Sequence, residues 1–219
     1  MKLVYLVSIT LLTLLSSCSI TRISNNNNII NEDLIASYKN LKSSLLEERS
    51  EIVFSDGSTA KNCATYLNLI SKNRVEESIY NQSVKSEYLI CDALQIISET
   101  PAVNNLNKND LNFGDKLSRN LDLRSFPSSL HRISNEENHS LETLYPDYVV
   151  SKGPTTTLET DDWIFRLEVV AVVQLNDNDV PDWIVWVSDE SKSGNYRSYS
   201  TLVLYDPENQ KNYTANLYH

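Results

Sequence analysis

Glycine is scarce in this chain, with four in 219 residues, which argues against a loop-dominated scaffold. No glycine-rich cofactor fingerprint is present. Histidine is rarer still. His131 and His139 share a polar stretch without zinc-ligand spacing, and His219 stands apart, so surface or helix-end histidines are expected. Serine is plentiful, yet no Gly-x-Ser-x-Gly elbow occurs. Positive charge is short, with 19 Lys and Arg against 29 Asp and Glu and a net charge of −10. Such a chain repels phosphate backbones, which excludes nucleic acid as a partner and argues against electrostatic attachment to anionic lipid. The apolar run from Leu3 to Leu15 falls short of the about 20 residues that a membrane-spanning helix requires.

The first residues have an order of their own. Lys2 supplies one positive charge, the apolar run follows, and Ser16-Ser17-Cys18 closes the segment with small residues. A charged start, a short apolar core and small residues before a cut are the parts of a secretory signal. Leu15-Ser16-Ser17-Cys18 resembles the lipobox of bacterial lipoproteins. The resemblance implies a signal peptide at 1–17, cleavage before Cys18, and fatty acylation such as palmitate on that cysteine and its new amino terminus. It also implies anchoring in the cell envelope. One acyl chain holds a protein marginally and two hold it stably. Ser19 in place of an Asp favours the outer membrane, facing the periplasm, by resemblance to enterobacterial lipoproteins. Residues 18–30, with Ser24 followed by four asparagines, read as a lipidated polar tether reaching at most roughly 40 Å. Residues 31–219 then form a single domain, helical over 31–150 and β-rich over 161–219.

Cys63 and Cys91 remain once Cys18 is assigned to lipid. In an oxidising compartment the pair reads as a disulfide, against the alternative of two buried thiols. The loop it closes is worth roughly 3.5 kcal/mol in the chain-entropy picture. Asn31 caps a helix beginning Glu32-Asp33 and running to about Ser50, with Leu34, Tyr38, Leu41 and Leu45 on one face. A second helix carries Cys63, Tyr66, Leu67 and Ile70. A third runs from about Glu76 to Ser98, with Val84, Tyr88, Cys91 and Gln95 on one stripe, and Pro101 ends it. Residues 102–160 have no clean period. They suggest short helical turns, one of them from Ser128 or Ser129 to Ile133 and another over 135–144, with turns at Tyr145-Pro146-Asp147 and Gly153-Pro154. After Trp163 the period becomes two, and four strands follow, near 163–173, 183–187, 200–205 and 213–218. Short connections make these an antiparallel meander. The expected class is therefore α+β, with N-terminal helices followed by a C-terminal four-stranded antiparallel meander.

One loop offers chemistry. Gln174 to Trp183 carries oxygen-bearing side chains at alternate positions, the arrangement by which a tight loop wraps calcium in six to eight hard oxygen ligands. The segment resembles the strand–loop–strand calcium loops of FG-GAP-like repeats. That resemblance implies structural calcium on Asn176, Asn178 and Asp182, with Trp183 opening the next strand. The departures are specific. Gln174 stands where the pattern has its first Asp, Asn178 replaces the middle Asp, and Asp179 replaces the turn glycine. An acidic turn between two strands is the alternative.

Function follows from the address more than from any motif. The leading expectation is a non-enzymatic, membrane-anchored periplasmic lipoprotein that binds a protein partner. An immunity or inhibitor protein against a basic toxin is one version, since opposite charge steers association. An envelope hydrolase assembled from scattered acids, with Asp162 and Asp182 first in line, is the alternative. A calcium-stabilised structural module is the third.

Overall fold

The computed structural model describes residues 28–100, 112–176 and 178–219. Cys18, the signal segment and most of the tether lie outside the described residues. No helix among the described residues is long and apolar enough to cross a membrane.

The class is α+β, but the expected four-stranded meander is corrected to six strands in one antiparallel sheet. The strands are β3 (Val149–Lys152), β4 (Thr155–Glu159), β5 (Trp163–Val173), β6 (Asp182–Ser191), β7 (Arg197–Leu204) and β8 (Ala215–Leu217). They lie side by side in chain order. The two additional strands meet at Gly153-Pro154, the turn that the sequence predicts. Gly153 takes a positive φ of 56° there. The sequence Thr155-Thr156-Thr157-Leu158 has a single large apolar side chain, so its period of two is carried by threonine, whose branched Cβ suits a strand without registering as hydrophobic.

The helical part is also corrected, from long N-terminal helices to short and scattered ones. Asn31 does cap α1 (Glu32–Lys39), its side chain accepting from Leu34 N. The helix stops at Asn40, and only α2 (Leu41–Ser44) continues it. Beyond it the chain is held by distant partners: Arg49 Nη1 donates to Glu87 O at 3.0 Å, and Ser50 N and Oγ both donate to the Glu87 carboxylate. The expected helix over 76–98 is divided into α4 (Ile79–Val84), a 3-10 turn over 85–88, and α5 (Leu89–Glu99). Asn81, inside α4, ties that helix to a distant element. Its amide exchanges two hydrogen bonds with the backbone of Val53, in the small hairpin of β1 (Ile52–Val53) and β2 (Thr59–Ala60). Tertiary bonds thus hold the chain at both places. The helix expected near 128–133 is a turn, and the one expected over 135–144 contracts to α7 (Leu141–Leu144), which Ser140 and Thr143 start as a capping box.

Three cores hold these elements. On one face of the sheet, Phe165, Leu167, Trp183, Val185, Leu202 and Leu204 pack beneath α6 (Phe113–Asn120) and the segment around Leu121, Leu123 and Phe126. On the other face, Ala171, Ile184 and Val203 pack against Leu34 of α1 and Ala93, Leu94 and Ile97 of α5. The third core surrounds the disulfide of Cys63 and Cys91, which joins α3 (Cys63–Ile70) to α5 across a Cα separation of 5.1 Å. A β-bulge between Val169 and Ala171 interrupts the register of β5 with β6. There the entering chain docks. Ile30 N and Asn31 N donate to Val170 O, Val172 N donates to Asn28 O, and Ile29 is buried. Residues 28–30 thus belong to the fold, although the sequence reading placed them in the tether.

The second face is only partly covered. Across β3, β4 and β5 the positions Val150, Thr157 and Arg166 form one cross-strand row, with Lys152, Thr155 and Glu168 in the next. Val150 is 70% exposed, and Tyr148 beside it is 54% exposed.

Helix α6 reaches the sheet through a glycine. Gly114 N donates to Gly153 O at 2.9 Å, and a Cβ on Gly114 would lie 2.1 Å from Thr155 O. Backbone cannot yield as a flexible side chain would. Gly114→Ala is expected to lower the thermal midpoint by roughly 3–10 °C. A melt unchanged from wild type would show that α6 docks differently.

Candidate functional site

The loop between β5 and β6 is built as a polar knot. Asp182, the first residue of β6, is fully buried. Its Oδ2 accepts from Leu175 N at 2.7 Å, and its Oδ1 accepts from Asp206 N at 2.9 Å. One carboxylate therefore ties its own loop to the turn after β7. Asp206 holds a left-handed backbone at φ 48°, with Pro207 next. Its Oδ1 accepts from Asn176 Nδ2 at 3.1 Å and from Asn178 Nδ2 at 2.7 Å. A carboxylate offers only acceptors, so both asparagines must turn their amide nitrogens to Asp206 and their oxygens away. Those oxygens converge on Gln174. Its Nε2 lies 2.9 Å from Asn176 O, 3.1 Å from Asn176 Oδ1, 3.2 Å from Asn178 Oδ1 and 3.4 Å from Val180 O.

The structure thus brings Asn176, Asn178 and Asp182 into one loop, as expected, but not around a shared cation position. Asp182 spends both oxygens on backbone N–H groups. The two asparagine oxygens face an amide nitrogen at hydrogen-bond lengths, whereas calcium draws its oxygens to about 2.3–2.6 Å. The described residues do not fit the ion in this arrangement. Asp177 lies outside the described residues.

Asp162 and Asp182, the pair first considered for hydrolysis, are far apart. Asp162 lies beyond the start of β5, where its carbonyl accepts from Lys192 N just past the end of β6. Asp182 opens that ten-residue strand. At about 3.3 Å per residue the two stand on the order of 30 Å apart, beyond the about 9.5 Å that paired glycosidase carboxylates span. His131 is exposed in a turn, and His139 Nδ1 lies 3.0 Å from Glu136 O. Among the described residues no group of three or more His, Cys, Asp or Glu is placed to hold a metal ion.

Two buried acids escaped the sequence reading. Asp189 falls outside the strand expected near 183–187, but it lies within β6 and is almost fully buried. It accepts from Trp163 Nε1 at 2.6 Å, Ser129 Oγ at 2.7 Å, Ser129 N at 2.7 Å and Tyr196 Oη at 3.2 Å. It pins the 126–130 segment to the sheet, and Arg132, His131 and Tyr196 line a hollow of about 420 Å³ beside that segment. The signal was available, since Val185, Val187 and Asp189 share a face at a period of two. Asp92, one residue after Cys91, is the second. Its Oδ2 accepts from Thr201 Oγ1 at 2.9 Å, while Oδ1 has no hydrogen-bond partner among the described residues. His219 Nε2 stands 3.9 Å from that oxygen. Lys85 Nζ donates to Tyr66 Oη nearby, and Lys85 also lines a hollow of about 280 Å³ with Glu76, Glu77 and Asn81. Burial pushes the Asp92 carboxyl above its ordinary value, with Lys85 and His219 pulling the other way. Burial lowers the Lys85 ammonium, with Asp92 opposing.

No family model, no curated protein and no solved structure matches the chain.

The Asp92 shift has a definite sign. A carboxyl raised in the fold has no effect on stability below its ordinary value of 3.8. Stability is then lost as pH climbs from there through the raised value, above which the loss is constant. Asp92→Asn cannot ionise and escapes this loss. In urea unfolding across that window, the stability difference between variant and wild type is expected to move in the variant's favour as pH rises. A difference that stays flat, or moves the other way, would contradict the assignment.

Proposed function

We propose that this chain is a lipid-anchored envelope protein whose folded domain binds a basic protein partner and catalyses no reaction itself. The address comes from the lipobox-like Leu15-Ser16-Ser17-Cys18. The observation that carries the binding role is the open part of the sheet. Among the described residues its face across β3 to β5 has no helix over Val150, Thr157 and Arg166, and β3 is an edge strand of the sheet. An exposed valine and tyrosine at that edge, within a rim of Lys152, Glu159 and Arg166, have the mixed character of a protein interface. The net charge of −10 favours a partner of opposite sign, whose approach it would accelerate at low salt. An inhibitor of a basic toxin entering the envelope is the specific form that this charge supports. The separation of Asp162 from Asp182 weighs against a hydrolase built on that pair.

The membrane-anchored chain, crosslinked in its host envelope and purified, is expected to yield one stoichiometric basic protein. Recovery should fall at least tenfold with Val150→Asp, which places a buried charge in the interface. Cys18→Ser is expected to abolish fatty-acid labelling. Equal capture by wild type and the Val150 variant would remove the open face from the reading. No partner at all would remove the binding role.

A further inference from the structure

The geometry points to the amide nitrogen of Gln174 as the built-in occupant of the β5–β6 loop, doing in this chain what a cation does in loops of similar outline. Four oxygens surround Nε2 at 2.9 to 3.4 Å: two backbone carbonyls, of Asn176 and Val180, and two side-chain oxygens, of Asn176 and Asn178. An amide nitrogen has two hydrogens, so they are shared among four acceptors, and the oxygens form a shell rather than a pair of simple bonds. The orientation of that shell is fixed from outside. Asp206 takes both asparagine nitrogens, which turns their oxygens inward. Asp182 holds Leu175 N and Asp206 N and so keeps the two loops together. Asn178 Oδ1 also accepts from Val180 N at 2.8 Å, closing the turn over the amide.

The dimensions favour nitrogen over metal. The ring is too wide for calcium by at least about 0.3 Å at its nearest oxygen and by more at the other three, and no carboxylate oxygen of the described residues faces its centre. The charges agree. Asp182 and Asp206 are each engaged by N–H donors, so the knot balances its two anions with polar hydrogens instead of a divalent ion. The loop accordingly keeps its shape with or without metal, and Gln174, one of the three positions that depart from the calcium-loop pattern, is the reason.

Thermal melts of the full chain, run in millimolar calcium and again in chelator, test this with two variants. Wild type is expected to melt at the same temperature in both. Gln174→Met keeps the side-chain length and removes the donors, and it should melt about 2–6 °C lower in both conditions. Gln174→Glu turns an oxygen toward the four oxygens. It should melt lower than wild type in chelator and recover part of that loss in calcium, because a carboxylate supplies the hard ligand that the ring lacks. A calcium-dependent rise in wild type would overturn the proposal. So would a Met variant as stable as wild type. A Glu variant that melts like wild type in chelator would overturn it as well.

Discussion

The carboxylate of Asp182 is the constraint on which this end of the molecule depends. It is buried at the first position of β6, and a buried anion is tolerated only when hydrogen-bonded. Its two partners are backbone N–H groups from different loops, Leu175 before the strand and Asp206 after β7. The β5–β6 loop is thereby set against the β7 turn. Asp206 enters its left-handed conformation with its N–H held by that same carboxylate, and from there it orients Asn176 and Asn178. Removing such an acceptor leaves buried donors unmet, at about 1–3 kcal/mol each. Asp189 acts in the same way at the other end of β6, where it holds Ser129, Trp163 and Tyr196. The central strand is thus pinned at both ends by acids whose work is structural.

Between those pins the sheet is an ordinary two-faced core. Strand β6 puts Trp183, Val185 and Val187 under α6 and Ile184 under α1 and α5. The disulfide adds a third centre, linking α3 to α5, whose other side packs on the sheet. Among the described residues, the helices leave bare the region of β3 to β5 on the second face, where Val150 and Tyr148 are exposed. Coverage of one part and exposure of the other go with the shortness of the helices, the longest of which, α5, has eleven residues.

Legibility in the sequence followed the strength of each physical signal. Strands β5 and β6 alternate large apolar residues and were plain. Strands β3 and β4 are not, because β3 is only four residues long and threonine carries the alternation of β4. The long helix suggested by the stripe through Tyr88 and Cys91 is interrupted over 85–88, where Glu87 bonds to Arg49 and Ser50, residues distant in sequence that no local period reveals. Residues 28–30 look like a polar tether until the bulge at Val170 gives their backbone a partner. At the candidate site, Asn176, Asn178 and Asp182 were identifiable as one loop, and Gln174 as its anomaly. That Asp206, far along the chain, fixes the direction of both asparagine amides required the fold itself.

Native-state hydrogen exchange at the backbone amides of Leu175 and Asp206 tests the role of Asp182 most directly. Both sit in loops, yet both donate to a buried carboxylate. They are expected to exchange only in the global unfolding that also exposes the amides of β6. Rapid exchange at these two amides, at the rate of neighbouring loop residues, would contradict the account and return Asp182 to the pool of acids free for chemistry.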